Sequence, residues 1–374
     1  MEVLIASDKF KGSLTAAEVA HHLGTGLRQR GVTTRALPLA DGGDGSVAAA
    51  VATGFRSIEV GVAAATGERH TATIAFDGAT AVVEVANTCG LHTLPGGTLA
   101  PLTSSSAGIG DAVRTAVTLG ATRIVLALGG SASTDGGTGM LAVLGAVFRD
   151  EAGEPVAPGG GSLHLIHTVD LGGLPDLTGT EIVIASDVQN PLTGPDGAAA
   201  VYGPQKGADP AQVSALDAGL AHLVDRLVAA GRPDAPRLAA TPGAGAAGGL
   251  GFAGLLLGGR AVSGADYFLD LLRFEAHLDG CDLVVTGEGR IDDQTLHGKL
   301  PAVVARRAAP LPVIAVVGRS DLGDGGCQLM GLRAVHAIAD RTDGNPANDP
   351  GLSARLLVEL GRTMPLPRHV TETP

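Results

Sequence analysis

The sequence predicts an α/β protein of two domains, one inserted into the other, and three observations support this fold class. A chain of 374 residues exceeds what one hydrophobic core usually organises. Strand–loop–helix units occur at both ends of the chain, and such units form parallel sheets. Between them, strands joined by short turns indicate antiparallel pairing. We therefore predict a doubly wound parallel-sheet domain made of residues 1–55 and 279–374, with a mixed-sheet α/β domain, residues 56–278, inserted into it.

The first segment contains two strand–loop–helix units. "EVLIAS" predicts a buried strand, "DKFKGS" a loop, and "LTAAEVAHHLGTGLRQRG" a helix whose start is marked by the capping-box spacing of Thr15 and Glu18. "TTRALPLA", "DGGDGS" and "VAAAVATG" repeat the same order. In a parallel sheet the loops after each strand all emerge at one edge.

The inserted domain begins with a different pattern. "SIEVGVAAATG", "RHTATIAFDG" and "TAVVEVA" predict three strands with short turns, followed by the helix "SSSAGIGDAVRTAVTLG" and the buried strand "TRIVLAL". Further on, "EIVIASD" predicts a buried strand and "AQVSALDAGLAHLVDRLVAAG" a helix. The last segment returns to the first pattern with "DLVVTGEGRID", "PAVVARRAA", "PVIAVVG" and "AVHAIA".

Charge and composition exclude several classes of partner. A net charge of -12 opposes nucleic acid or an anionic membrane as the main partner, and 2% aromatic residues leave few platforms for base stacking. Cys89, Cys281 and Cys327 are scattered, which predicts neither a disulfide framework nor a zinc site. The start "MEVLIASDKF" is unlike a signal peptide. We expect a cytoplasmic monomer or homodimer.

One uncharged stretch, residues 238–259, is long enough to span a bilayer. Its many glycines and alanines favour a buried glycine-rich loop followed by a short core helix.

The stretch "LALGGSASTDGGTGML", residues 126–141, places glycines and hydroxyls between a predicted strand and a predicted helix. Glycine lets a backbone approach a ligand closely, hydroxyls donate hydrogen bonds, and a helix N-terminus attracts anions. The loop therefore predicts a phosphate or carboxylate site in which Asp135 caps the helix or binds a cation, or else only a tight turn with ordinary capping. The candidate phosphate-binding residues in it are Gly129, Gly130, Ser131, Ser133 and Gly136.

A second glycine-rich segment, "GAGAAG" at residues 243–248, matches the G-x-G-x-x-G dinucleotide pattern. The preceding "DAPRLAATP" does not predict a strand, so the dinucleotide interpretation lacks its required context. What remains is a second glycine-led helix start, with Gly245 and Gly248 as candidate phosphate contacts. No G-x-x-x-x-G-K-[ST] motif occurs.

Carboxylates collect where predicted strands end, namely Asp8, Asp41, Asp44, Asp187, Glu288 and Asp292. Lysines are few, and Lys11, Lys206 and Lys299 do not lie on an obviously solvated, charge-rich helix face. Acids gathered at one sheet edge would repel each other without a cation. Carboxylates for a divalent cation, lysines for phosphate charge and glycine-led N–H groups are the components of phosphoryl transfer.

Six blocks resemble, in order, the signature blocks of the type I glycerate kinase family. They are "ASDKFKGSLTAAEVA", "PLADGGDGS", "LGGSASTDGGTGML", "SDVQNPLTGPDGAAAVYGPQKGA", "PGAGAAGGLG" and "TGEGRIDDQTLHGKLP". The resemblance implies a flavodoxin-like domain carrying an inserted restriction-endonuclease-like domain. It also implies ATP- and Mg²⁺-dependent phosphorylation of D-glycerate, with 2-phosphoglycerate as the product. Thr134, Gln189, Asp293 and Lys9 depart from the family pattern or vary within it, and we assign them no role.

As a hypothesis, we assign roles to residues within these blocks, most of which fit the family pattern. Asp187, Lys11, Asp41 and Lys206 are the catalytic candidates, Asp8, Asn190, Arg290 and Lys299 the substrate-binding candidates, and Asp187, Glu288 and Asp292 the metal ligands. Two alternatives remain open, namely an NAD-dependent hydroxy-acid oxidoreductase, which needs a strand before Gly243, and a non-catalytic glycerate-binding protein.

Overall fold

The computed structural model describes residues 1–292, 299–323 and 325–367. Its strands, in chain order, are β1 (Glu2–Ser7), β2 (Thr33–Ala36), β3 (Arg56–Ala63), β4 (Arg69–Phe76), β5 (Thr80–Glu84), β6 (Arg123–Ala127), β7 (Val147–Arg149), β8 (Thr168–Asp170), β9 (Glu181–Ala185), β10 (Arg260–Val262), β11 (Leu283–Gly287), β12 (Arg290–Ile291), β13 (Val313–Val317), β14 (Arg319–Ser320) and β15 (Ala334–Ala337). Its α-helices are α1 (Ala16–Arg28), α2 (Ser46–Ala52), α3 (Val85–Cys89), α4 (Ala107–Thr118), α5 (Thr138–Leu144), α6 (Ala198–Tyr202), α7 (Pro210–Ala229), α8 (Ala235–Ala239), α9 (Leu250–Leu256), α10 (Gly264–Leu271), α11 (Phe274–Leu278), α12 (Leu300–Ala308), α13 (Gly326–Leu329) and α14 (Pro350–Thr363). The α/β class predicted from the sequence is confirmed.

The chain divides into two compact units. Unit 1 consists of Met1–Asp41 and Ala265–Pro374, and unit 2 of Gly42–Gly264. Both boundaries therefore precede the predicted ones at 55/56 and 278/279. The physical reason lies in two helices: α2 packs on β4 and β5 of unit 2 although it follows β2 in sequence, and α11 packs against α12 of unit 1.

Unit 1 contains a parallel sheet of five strands in the order β15-β13-β11-β1-β2. The central strands are continuous apolar runs, as expected of strands covered on both faces. Helix α1 begins with the predicted capping box, in which Thr15 and Glu18 bond each other's backbone N–H groups. Glycine at position 26 allows the helix to pack closely on α14, since a Cβ there would lie 2.1 Å from the carbonyl oxygen of Val358.

Unit 2 contains a mixed sheet of six strands in the order β10-β9-β6-β5-β4-β3. The pairs β3–β4 and β4–β5 are antiparallel, and the other pairs are parallel. The antiparallel start of the inserted segment is thus confirmed. The core is built of Val, Leu, Ile and Ala side chains with few aromatic residues, Phe252 among them.

The uncharged stretch 238–259 does not form one long helix. It contains the end of α8, a glycine-rich turn, and the short buried helix α9, as the sequence predicted. In the part of the chain that the structure describes, no helix is long and apolar enough to cross a membrane.

Candidate active site

Three carboxylates follow neighbouring strands of the unit 1 sheet and meet at its carboxyl edge. Asp8 follows β1, Asp41 lies beyond β2, and Glu288 follows β11. Asp8 is only 9% exposed, and its N–H donates to the carbonyl oxygen of Gly287 at 2.9 Å. Burial, then the negative charge of Asp41, and more weakly that of Glu288, raise the pKa of Asp8 well above its ordinary value. The predicted convergence of acids on this edge is therefore confirmed for these three.

The next residue, Lys9, partly stabilises the charged form of Asp8. The backbone N–H of Lys9 donates to Asp8 Oδ1 at 2.7 Å, and the Lys9 charge acts in the same direction, lowering the pKa. Burial and like charge outweigh these contributions. The edge thus carries an excess of negative charge that a bound cation would relieve.

A second cluster on the same unit joins cations to acids. Arg290 Nε lies 2.7 Å from an oxygen of Asp321 and 3.9 Å from Asp292, while Lys299 Nζ lies 3.6 Å from Asp292. Arg319 Nε lies 2.8 Å from Asp321, and its hydrogen bond is the main cause of the lowered pKa of that carboxyl. The predicted metal ligand Asp292 and the predicted substrate contacts Arg290 and Lys299 are therefore brought together as ion pairs.

Arg319 and Asp321 were not predicted from the sequence. They follow the buried strand "PVIAVVG", so the strand-end position that marked the other acids was the signal that could have found them. The parallel pairing of β12 with β14 places Arg290 opposite Arg319. Residues 293–298, which include Asp293 and the middle of the block "TGEGRIDDQTLHGKLP", lie outside the described residues.

Lys11 stands apart from these pairs. Its side chain is exposed and makes no ion pair with any residue in ranges 1–292, 299–323 and 325–367. Its backbone lies close to the loop after β11, since Gly289 leaves so little space there that an added Cβ would lie 3.0 Å from Lys11 N.

The predicted site residues near β9 of unit 2 have defined local partners. Asp187 Oδ1 accepts hydrogen bonds from Ser263 Oγ at 3.0 Å and from the Gly264 N–H at 2.8 Å. Asn190 accepts from Tyr202 Oη at 2.7 Å and donates to the carbonyl oxygen of Asp196 at 2.8 Å. Both side chains therefore hold the loops of unit 2 in place.

The loop at residues 128–137 is mostly inaccessible. Gly129 and Gly130 reach solvent, whereas Ser131 and Gly136 are buried and Ser133 has no exposed surface. The loop packs on "DGGDG", where the Gly129 N–H donates to the carbonyl oxygen of Gly42 at 3.2 Å. Of the five phosphate-binding candidates in this loop, only the first two are positioned to meet a ligand in this conformation.

Asp135 explains why the helix start in this loop is closed. Its Oδ2 accepts from the N–H and the hydroxyl of Ser106, both at 2.8 Å, and from the Gly139 N–H at 3.2 Å. Its Oδ1 accepts from the Gly137 N–H at 3.1 Å. The predicted capping role of Asp135 is thus observed, and the α5 N–H groups that were expected to face an anion are used by a carboxylate of the protein itself.

Lys206 lies beneath the same loop and not at a surface. The side chain is buried, and its Nζ donates to the carbonyl oxygen of Ser133 at 2.5 Å. Burial lowers the pKa of Lys206 to about 8, although the nearby charge of Asp135 opposes the shift. We expected this ammonium to contact the transferred phosphoryl group. A buried ammonium that donates to the loop backbone does not fit that role.

The glycines of residues 243–249 serve close packing. A Cβ at Gly248, whose φ is +69°, would lie 2.1 Å from the carbonyl oxygen of Ser133. The Gly245 N–H donates to the carbonyl oxygen of Asn190 at 2.9 Å. Both glycines are buried, so their predicted phosphate contacts do not fit this conformation either. The segment before them is α8 and not a strand, so the dinucleotide-binding context is missing.

Within the described ranges, no three His, Cys, Asp or Glu side chains are grouped so that they could hold a metal ion by themselves. Of the predicted ligands, Glu288 and Asp292 belong to unit 1 and Asp187 to unit 2. Mg²⁺ is commonly held by one or two carboxylates together with substrate phosphates and water, so the acidic edge of unit 1 has suitable donor chemistry without a preformed cage.

The buried lysine gives a pH-dependent prediction. Unfolded Lys206 would release its proton near 10.5 and folded Lys206 near 8, so between these values the unfolded state binds more protons and stability rises with pH. Relative to Lys206→Met, we expect wild-type unfolding free energy to increase by roughly 1.4 kcal/mol per pH unit above 8. Urea unfolding of both proteins at pH 7.5 and 9.5 measures this difference.

Lys11→Met is the matched control for this experiment, since it removes an exposed lysine from unit 1. Its unfolding curve should follow the wild type at both pH values. A constant gap between Lys206→Met and the wild type across the range would contradict the burial of a charged lysine.

Comparison with known proteins identifies similarities over most of the chain. Residues 3–347 match the model of the glycerate kinase family. A glycerate kinase of Bacillus subtilis (strain 168) and a glycerate 2-kinase of Escherichia coli (strain K12) are each 40% identical over 90% of this chain and 90% of their own. A crystal structure assigned as glycerate kinase 2 from Salmonella typhimurium LT2 has a TM-score of 0.75 and 38% identity, covering 96% of this chain and 97% of that one.

Proposed function

This chain belongs to the glycerate kinase family, and from that premise we propose that it transfers the γ-phosphoryl group of ATP to a hydroxyl of D-glycerate with Mg²⁺ as the cation. The family resemblance predicted from the sequence is confirmed, and the enzyme class is a phosphotransferase with an alcohol acceptor. The observation that carries the proposal is the family match over residues 3–347, because it spans segments of both units. None of the comparisons supports the oxidoreductase alternative.

The position of transfer is part of the proposal. The Escherichia coli relative is named a glycerate 2-kinase, which favours the 2-hydroxyl and 2-phosphoglycerate as product. The finer fold assignment is also a proposal. If the five strands of the unit 1 sheet are numbered 1 to 5 along the chain, their order across the sheet is 2-1-3-4-5, which favours a flavodoxin-like unit. The antiparallel strands, helix and parallel strand of unit 2 favour a restriction-endonuclease-like one.

The acidic edge of unit 1 is the best candidate for the cation. Of the predicted ligands we retain Glu288, and we add Asp41. The negative charges of both residues raise the pKa of buried Asp8, so both lie near it. Asp187 and Asp292 are weaker candidates because Asp187 belongs to unit 2, and because Asp292 lies beside the cations Arg290 and Lys299, whose positive charge would oppose a further cation. Bound Mg²⁺ would neutralise charge on the phosphates and orient them.

The remaining roles follow from charge and access. Asp8 is placed to accept a hydrogen bond from the glycerate hydroxyl, and exposed Lys11 to face the charge of the transferred phosphoryl group. Arg290 and Lys299 offer donors for the substrate carboxylate, an exchange that would loosen their ion pairs with Asp321 and Asp292. In unit 2, Gly129 and Gly130 are the predicted phosphate-binding residues whose backbone reaches solvent, and Lys206 donates to the carbonyl oxygen of Ser133 in the same loop.

The proposal is tested by mixing purified protein with D-glycerate, ATP and Mg²⁺ and measuring ADP. We expect ADP to form in proportion to glycerate consumed and to stop when EDTA removes the cation. Phosphorus NMR of the product then distinguishes the 2-phosphate from the 3-phosphate. Glycerate binding without ADP formation would contradict the kinase function and support the non-catalytic alternative, while a 3-phosphate would contradict only the position of transfer.

A further inference from the structure

A cavity of about 450 Å³ opens on unit 1, lined by loops that follow several strands of the parallel sheet. Phe10 and Lys11 follow β1, Gly289 follows β11, Arg319 lies beyond β13, and Ala339 lies beyond β15. The carboxyl ends of parallel strands share one edge, so the cavity lies at the same edge as the acids Asp8, Asp41 and Glu288.

The walls of the cavity combine apolar surface with positive charge. Phe10, Ile338 and Pro346 supply apolar surface, and Lys11 and Arg319 supply two cations. Ser13 also lines the cavity, and its buried Oγ has no hydrogen-bond partner among the residues that the structure describes. A buried hydroxyl without a partner is costly, so its presence here points to a ligand or water that completes it.

The topology gives the position of the cavity a further meaning. Strand β1 pairs with β2 on one side and with β11 on the other. The order of the strands along the chain therefore reverses its direction across the sheet between β1 and β11, which is the switch point of the sheet. Ligands of open parallel sheets bind outside the carboxyl ends of the strands at such a point. The loops after both strands line the cavity, and a Cβ at Gly289 would lie 3.0 Å from Lys11 N.

We infer that this cavity binds the nucleoside end of ATP, with the base against Phe10, Ile338 and Pro346 and the phosphates directed toward Lys11 and Arg319. The inference rests on the proposed kinase function. The volume lies in the range of about 300 to 1,000 Å³ usual for small-molecule sites, and D-glycerate, a three-carbon acid, would leave most of it unfilled. Gly289 directly follows Glu288, so phosphates at the cationic wall would be next to the acids proposed to hold the cation.

Binding of ADP, measured by calorimetry with Mg²⁺ and without glycerate, tests the assignment on the full chain. Ala339→Phe places a ring in the cavity and should weaken ADP binding by about tenfold or more, and Arg319→Ala by about fivefold. The KM for ATP should rise in parallel, while the KM for D-glycerate should change by less than about twofold. Arg362→Ala, which removes an exposed arginine from the last turn of α14, is the charge-matched control and should bind ADP as the wild type does.

Wild-type ADP affinity in folded Ala339→Phe and Arg319→Ala would overturn the assignment, and so would a rise in the KM for glycerate with an unchanged KM for ATP. If Ala339→Phe unfolds, Ala339→Leu, which fills less of the cavity, decides the point with the same readout. Absence of wild-type kinase activity would contradict the proposed function instead. Because ADP binding is measured without turnover, the two failures are distinguishable.

Discussion

Replacing Asp135 by asparagine is expected to lower the free energy of unfolding by about 3 kcal/mol, the largest stability effect we predict. The carboxylate has no exposed surface and accepts four hydrogen bonds from Ser106, Gly137 and Gly139. An asparagine side chain has one oxygen, so its amide group would face donors at the other position. The buried ammonium of Lys206 would also lose the charge that partly stabilises it. Urea unfolding at pH 7 measures the loss.

The exposed helix cap Asp209 offers a matched control for this substitution. Asp209 accepts from the Gln212 N–H at the start of α7, and asparagine is as good a helix N-cap as aspartate. Asp209→Asn should therefore change the unfolding free energy by less than about 0.5 kcal/mol. Equal effects at positions 135 and 209 would show that Asp135 is an ordinary cap and not the centre of a buried network.

Local sequence signals predicted the elements of this protein well because those signals act over few residues. The capping box of Thr15 and Glu18, the antiparallel strands from Arg56 to Glu84 and the buried parallel strands all depend on neighbours in sequence. The division into units depends on which sheet a helix covers. For α2, an alanine-rich helix, the apolar pattern is the same whether it packs beside β2 or on β4 and β5.

The candidate site was predicted in part for a similar reason. Position at a strand end fixes where Asp8, Asp41 and Glu288 lie, because parallel strands end at one edge. Glycines and hydroxyls do not fix whether a loop faces a ligand or another backbone. The backbone of Gly248 packs closely against the loop around Ser133, and Lys206 is buried beneath that loop. No local sequence pattern indicates this packing.

These observations separate two kinds of polar residue in the protein. Asp135 is buried with its hydrogen-bond acceptors used, which is the condition for a stabilising buried carboxylate. Burial, and then the like charges of Asp41 and Glu288, raise the pKa of Asp8, which costs folding free energy at neutral pH. A group retained at such a cost is a candidate for function.

Replacing Asp41 by asparagine should therefore lower kcat by about a thousandfold or more without lowering stability, and this is the largest effect on activity that we predict. The proposed cation would lose one of its carboxylates, so the Mg²⁺ concentration for half-maximal rate should rise as well. Steady-state assays over a range of Mg²⁺ concentrations measure both quantities. Asp279→Asn, an exposed carboxylate of the same unit, is the control and should keep wild-type kinetics.

Stability provides the readout that distinguishes this role from a structural one. The Asp41 charge raises the pKa of Asp8, so its removal relieves repulsion on a buried carboxylate, and the unfolding free energy of Asp41→Asn at pH 7 should equal or exceed that of the wild type. A structural acid would behave in the opposite way, as predicted for Asp135. Loss of activity together with loss of stability at position 41 would mean that the acids of this edge hold the fold, and the proposed cation site would then have to lie elsewhere.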